Sequence, residues 1–221
     1  MKRNKLTVSK VFRGELALTG WMGQRSCILA LDVGTSAVRA QAWGIDSQPL
    51  PGIGSRGGYR LTTDQEGRAT LEPGEILSTV AQAIDKTVNL ARLQGVTIEA
   101  VALDTLAPTL LGVDKKGVPL TPIYTYADTR SMKEAQRIRD KVNTADVHER
   151  TGCPVHSSYL PSRLLWLERC QSRIFCRVAR WLTLGEFLYW NFFQHYGISY
   201  SLASWSGILN RHTLAWDQEW L

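Results

Sequence analysis

This sequence predicts an α/β fold, a mixed sheet with helices on its faces, and three observations predict it. Two apolar strands face each other across a Gly-Thr-Ser turn near residue 34. A long stretch at helical spacing follows them, and then a further apolar strand. Strands and helices go on alternating downstream, which favours layers over a bundle.

The elements follow in order. Cys27 to Val33 (CILALDV) is an almost unbroken apolar run with Asp32 near its end and Gly34 just beyond, the pattern of a buried strand entering a turn. Ala37 to Gly44 reads as its hairpin partner. Gln48 to Gly58 is rich in Pro and Gly and reads as loop, with a third strand near Tyr59 to Thr63. Glu72-Pro73-Gly74-Glu75 marks a helix start, with Pro early and acids in the first turn. Ile76, Val80, Ile84, Val88 and Ala91 then recur at helical spacing, and Gly95 closes that helix. Ile98 to Leu103 and Thr109 to Val113 read as strands, the second closed by the Lys115-Lys116-Gly117 turn. Helices are expected over Ser131 to Val142, Leu160 to Arg169 and Val178 to Gln194. The aromatics Trp181, Phe187, Tyr189, Trp190 and Phe193 of the last are expected to pack as core.

Composition excludes several functions. With 44% hydrophobic and 21% charged residues among 221, the chain is an ordinary globular sequence. No apolar run approaches the roughly 20 residues of a membrane helix. Cys27, Cys153, Cys170 and Cys176 form no CxxC pair and the four histidines no HxxxH, so free thiols in a reducing cytoplasm are expected rather than a zinc site. The net charge of +6 is concentrated in the first 21 residues, where Lys2, Arg3, Lys5, Lys10 and Arg13 face only Glu15. Without that leader the argument for nucleic acid disappears. Residues 1–25 read as a disordered arm or a start codon placed too far upstream. Those before Met22 are expected to be dispensable.

The sharpest local feature is Asp32-Val33-Gly34-Thr35-Ser36-Ala37-Val38-Arg39. Gly34 permits a tight backbone path, and successive N–H groups in such a turn can cradle an anion. Thr35 and Ser36 add hydroxyl donors and Arg39 adds charge for a phosphate. Asp32 could hold magnesium through water, since that ion takes one or two carboxylates. The competing reading is a plain hairpin turn. It is not a P-loop, because a strand rather than a helix follows.

DxGTxxxR after a buried N-terminal strand resembles the first phosphate motif of the FGGY carbohydrate kinases. The resemblance continues in the family's order. LGVDKKGVPLTPIYTYADTR (Leu111 to Arg130) resembles the strand, turn and W-x-D-x-R segment, with Tyr126 where Trp is usual. RTGCPVHSSYLPSRLLWL (Arg150 to Leu167) resembles the helix ending in KLLWL. SYSLASWSGILNRHTLAWD (Ser199 to Asp217) resembles the DYTNAS…LFN segment. The flavour is that of the gluconokinase-like and xylulokinase-like branch.

The resemblance implies an RNase H-like lobe of the actin and hexokinase type over residues 26–221, the sugar-binding half of a two-lobed enzyme. A complete enzyme would transfer the γ-phosphoryl group of ATP, with Mg2+, to a sugar hydroxyl. The isolated chain would be inactive for want of its nucleotide lobe. The alternative is a lobe that binds carbohydrate without phosphorylating it. The expected partners are a small sugar or sugar acid and ATP, with no nucleic acid and no membrane; a homodimer is the assembly to test. Asp32, Gly34, Thr35, Ser36 and Arg39 would bind phosphate, with Asp32 also the magnesium ligand. Asp104, Thr105, Asp128 and Arg130 would bind the sugar, Arg130 chiefly as partner of Asp128. Asp128 could instead cap the helix after it. Ser199 falls where relatives carry the catalytic Asp, and serine is a poor base without a helper. Asp104 is the candidate substitute, as base, as sugar ligand or merely as a turn acid.

Overall fold

The computed structural model describes residues 25–220. The reading of residues 1–25 as a leader therefore falls almost wholly outside the described residues. The strands β1 (Arg25–Val33), β2 (Ala37–Gly44), β3 (Pro49–Gly58), β4 (Thr62–Thr63) and β5 (Ala69–Leu71) come first, followed by helix α1 (Pro73–Leu93). Then come β6 (Val96–Thr105), β7 (Leu111–Val113), β8 (Ile123–Tyr124), α2 (Met132–Arg139), α3 (Thr144–Thr151), α4 (Leu160–Cys170) and α5 (Ser172–Phe175). The chain finishes through β9 (Arg180–Leu182), α6 (Leu184–Phe193), α7 (Tyr200–Ser204), β10 (Leu209–Asn210) and β11 (Ala215–Trp216). It divides into two compact units. The first comprises the stretch up to Tyr59, Gly74–Thr105 and Asn191–Gln194; the second comprises Arg60–Pro73, Leu106–Trp190 and the residues from His195 on.

The first unit is a mixed four-stranded sheet in the order β3-β2-β1-β6, with β6 parallel to β1 and the other pairs antiparallel. Alternation in β1 sends Cys27, Leu29, Leu31 and Val33 to one buried face. That face carries α1, whose Ile76, Val80 and Ile84 are buried, each worth about 1.5–3 kcal/mol. Helix α1 is also the crossover that a parallel β1–β6 pairing requires. Gly95, at φ 64°, turns the chain from α1 into β6.

The segment from Pro49 to Gly58 is a strand, not the loop its composition predicts. It lies at the sheet edge, where proline costs no ladder bond. Its glycines serve close packing. A Cβ on Gly57 would lie 2.5 Å from Thr79 Cγ2 of α1, and one on Gly54 would lie 2.6 Å from Gln41 Oε1 of β2. Ser55 Oγ donates to the Ala83 carbonyl at 2.8 Å, fastening the strand to the helix.

The second unit holds three small sheets, β4-β5-β8, β7-β9 and β10-β11, with helices around them. Leu110, Tyr124, Trp166 and Leu167 form one core cluster. The single helix expected over Val178 to Gln194 is a strand followed by a helix. Arg180–Leu182 pairs with β7, and the helix starts only after Thr183. Thr183 N–H donates to Glu186 Oε2 at 2.8 Å while Glu186 N–H donates to Thr183 Oγ at 3.2 Å, a reciprocal capping box. The aromatics divide accordingly. Phe187 is buried, Trp190 stacks on Tyr196 at 4.2 Å, and Trp181 of β9 lies 5.6 Å from Phe175. Tyr189 and Phe193 are exposed. Helix α3 was not anticipated. Asn143 caps its start, accepting from Ala145 N–H, and Gly152 closes it at φ 71°.

Candidate active site

In the first unit the candidate residues Asp32 and Asp104 sit at the carboxyl ends of two neighbouring parallel strands, the usual place for ligands in sheets of this kind. The register sets Asp32 of β1 beside Asp104 of β6, and Val33 beside Thr105. Paired positions share a face and lie on strands about 4.8 Å apart. The two acids thus stand side by side on the face opposite α1. Asp104 is exposed and Asp32 half-buried. Across the hairpin, Arg39 is the register partner of Asp32, and its Nη1 donates to Asp32 Oδ2 at 3.0 Å. Thr105 points to the other face; it is buried, and its hydroxyl has no partner among the described residues.

The turn between the strands is braced from within. Gly34 N–H donates to the Ala37 carbonyl at 3.0 Å, and Tyr59 N–H to the Ser36 carbonyl at 3.1 Å. The Tyr59 hydroxyl donates to the Gly34 carbonyl. Burial, and secondarily the Asp32 charge, push the Tyr59 phenol up to about 12, so it stays a donor at neutral pH. A Cβ on Gly34 would meet Ala37 O at 3.5 Å and Asp32 Oδ1 at 3.8 Å, both ordinary contacts. Among the described residues, no closer contact requires glycine there. Thr35 is half-buried and Ser36 exposed. Two adjacent carboxylates are donors of the kind magnesium accepts, although Arg39 already engages one oxygen of Asp32. Among the described residues, no three His, Cys, Asp or Glu gather as a metal cluster.

In the second unit Asp128 is 3% exposed. Its Oδ2 accepts from Ala69 N–H at 3.1 Å and Arg130 Nη2 at 2.6 Å. Its Oδ1 accepts from Arg130 Nε at 3.0 Å and Arg130 N–H at 3.3 Å. A carboxylate offers about four acceptor sites, and the chain itself fills them. The Arg130 guanidinium lies 4.6 Å from the Trp166 ring and 5.5 Å from that of Tyr124. Arg130 is thus the partner of Asp128. Ser131, not Asp128, holds the cap position of α2, and its hydroxyl donates to Ser157 O.

Ser199 is the N-cap of α7, its Oγ accepting from Leu202 N–H at 3.2 Å. His156 is exposed and shares a hydrogen bond with Ser158 Oγ. One residue of this unit escaped the sequence reading. Arg163 of α4 is 2% exposed and donates to the carbonyls of Tyr124 and Thr125, holding the strand before Asp128 against the helix. Burial lowers its guanidinium to about 10. A cation set among Leu160, Leu164 and Leu167 was the available signal.

Residues 27–221 match the family model for the N-terminal domain of the FGGY family of carbohydrate kinases. Bacillus subtilis gluconokinase is 28% identical over 195 residues, covering 88% of this chain but 37% of that protein. Burkholderia pseudomallei glycerol kinase is 26% identical, with 90% and 41% covered. Among solved structures, Lactobacillus acidophilus gluconate kinase superposes with a TM-score of 0.81 at 25% identity over 89% of this chain and 39% of that one. Plasmodium falciparum glycerol kinase with ADP gives 0.83 at 18% identity, covering 91% and 41%, a likeness of fold alone. The chain therefore spans about two fifths of the length of these relatives. Family model, motif order and fold agree: the chain belongs to the FGGY family of carbohydrate kinases, through its N-terminal domain.

Proposed function

We propose that this chain is the sugar-binding half of an ATP-dependent carbohydrate kinase acting on a small sugar or sugar acid. The observation that carries the reading is the pairing of Asp32 with Asp104 beside a turn whose glycine no closer contact among the described residues requires. Gly34 leaves the backbone there without a side chain, which would suit the close approach of a phosphate oxygen, with Thr35, Ser36 and Arg39 beside it in the turn. Asp32 would hold Mg2+ through water, and the ion when bound would neutralise charge on phosphate oxygens.

Asp104 takes the place of the base. It would accept the proton of the sugar hydroxyl while that oxygen forms its bond to the γ-phosphorus and the bond to the ADP oxygen breaks. A positioned base is worth about 10²- to 10⁴-fold. The buried Asp128–Arg130 pair fastens its own loop to Ala69 within the second unit. The reading places the protein in the cytoplasm, where its four cysteines, all free, stay reduced. Among the described residues no helix is long and apolar enough to cross a membrane. The isolated chain is expected to bind substrate without turning it over, since one lobe cannot close a cleft around it.

A second reading, a carbohydrate-binding lobe without kinase chemistry, is favoured by Ser199, whose hydroxyl serves as a helix cap. Calorimetry of the chain with gluconate, xylulose and glycerol, beside a coupled assay for ADP, tests both. Saturable binding of one of these, without sugar-dependent ADP release, is expected. Binding of none of them removes the carbohydrate reading. Turnover by the chain alone at about 1–100 per second removes the claim that it needs a second lobe. Gly34→Ala should leave the melting temperature unchanged and weaken binding of ATP.

A further inference from the structure

In the second unit, residues from the start of α2 and the end of α4 line an open cavity of about 630 Å³. That is the size of an ordinary small-ligand site, about 300–1,000 Å³. Its lining includes Arg130, Met132, Lys133, Glu134, Trp166 and Cys170. Asp32, Gly34 and Asp104, which carry the kinase reading, all belong to the first unit.

The polar groups of this cavity are fixed in place but not used up. The side chain of Glu134 is 6% exposed, and both of its arginine contacts, to Arg137 at 3.2 Å and Arg169 at 3.9 Å, fall on Oε1. Its Oε2 accepts no hydrogen bond among the described residues and is not sealed from solvent. A carboxylate oxygen so placed calls for a donor. Arg130 gives Nε and Nη2 to Asp128, and its guanidinium is held over the Trp166 ring at 4.6 Å, so Nη1 is left over in a fixed position. Lys133, exposed and without an ion pair among the described residues, adds a second cation. Trp166 and the exposed Met132 supply apolar surface.

We propose that this cavity binds an α-amino acid with an apolar side chain. The ligand's carboxylate accepts from Arg130 Nη1 and the Lys133 ammonium, its own ammonium donates to Glu134 Oε2, and its side chain lies against Trp166 and Met132. The Asp128–Arg130 pair stays intact, because the ligand takes the nitrogen which that pair leaves over. The mixed charge selects against other classes. A phosphate or a sugar acid brings its anion toward Glu134 and Glu66, an amine brings its cation toward Arg130 and Lys133, and a neutral sugar matches neither charge. Groups already held by the fold also lower the ordering cost of binding. None of this depends on the kinase reading.

Cys170 gives the site its own reporter: its thiol is exposed and lines the cavity, whereas Cys176, also exposed, does not line it. The whole chain is titrated with L-leucine, L-methionine and L-phenylalanine by calorimetry, and alkylation of each cysteine by iodoacetamide is followed by mass spectrometry. At least one of the three should bind saturably and slow alkylation of Cys170 by at least about threefold, leaving Cys176 unchanged. The matching carboxylic acid without the amino group, and the matching amine without the carboxylate, should each bind at least about tenfold more weakly, since each loses a charge-assisted contact. Lys133→Ala, at an exposed side chain, should weaken the amino acid and the carboxylic acid alike and spare the amine; Glu134→Gln should do the reverse. Failure of all three amino acids to protect Cys170 would overturn the proposal, as would equal protection of both cysteines. So would a carboxylic acid that binds as tightly as its amino acid, which would make this a plain anion site, or protection of Cys170 by gluconate in place of the amino acids, which would make it a carbohydrate site.

Discussion

Each unit of the molecule contains an aspartate paired with an arginine, and the two pairs differ in almost everything else. Asp32 and Arg39 face each other across a hairpin with side chains 48% and 61% exposed, joined by a single contact of 3.0 Å. Asp128 and Arg130 are 4% and 14% exposed, joined by a two-pronged contact under two aromatic rings. The first pair gains little from its Coulomb attraction, typically below about 1 kcal/mol, because water screens it. Breaking the second leaves a cation with no partner in a desolvated place, typically about 3–5 kcal/mol. The exposed pair can exchange partners for a ligand; the buried pair serves the fold. Asp128→Ala should therefore lower the unfolding free energy by about 3–5 kcal/mol, and Asp32→Ala by less than about 1 kcal/mol, both read from urea melts. Equal losses would erase the distinction between the two pairs.

The next effect sharpens the electrostatics on the exposed side. Tyr59 is pushed to about 12, first by burial and then by Asp32. Between its ordinary value near 10 and 12, the folded state keeps a proton that the unfolded state has released. This contribution, about 2–3 kcal/mol, is present below pH 10 and is lost as pH rises through 12. The phenolate absorbance reads this group directly. The difference between wild type and Tyr59→Phe should show one tyrosine ionising near pH 12. Asp32→Asn should move it part of the way back, the remaining shift being burial. A midpoint near 10 would mean that the hydroxyl is not held in the turn.

Much of this was legible in the sequence, and the boundary is physical. Asp32 and Asp104 could each be found, because each ends an apolar strand. That they stand side by side could not, since parallel pairing is set by a crossover through α1 rather than by local pattern. The buried role of Asp128 was hidden for a related reason: one of its donors, Ala69 N–H, is 59 residues away in the chain. The strand β3 was misread because Pro and Gly signal loops, a rule that an edge position suspends. The break before α6 was present as Thr183-Leu184-Gly185-Glu186, a capping box masked by the aromatic run around it. The family motifs carried the rest, since four of them in order constrain the fold more than any single periodicity.

The smallest effect concerns Ser199, the position where exposed chemistry and structural duty meet. Its hydroxyl accepts from Leu202 N–H at the start of α7, a helix of five residues, and the side chain is otherwise exposed. Removing a cap of this kind costs about 1 kcal/mol, so Ser199→Ala should lower the melting temperature by roughly 2–4 °C. Asp caps as well as Ser and places its charge at the favourable end of the helix. Ser199→Asp should therefore stay within about 0.5 kcal/mol of wild type, near the resolution of the measurement. If Asp is tolerated and Ala is not, the cap explains how serine holds this position structurally, and a carboxylate could stand there without strain. If Asp destabilises as much as Ala, the carboxylate does not replace the hydroxyl at Leu202 N–H, and the site around Ser199 then disfavours the charge that the relatives are expected to use.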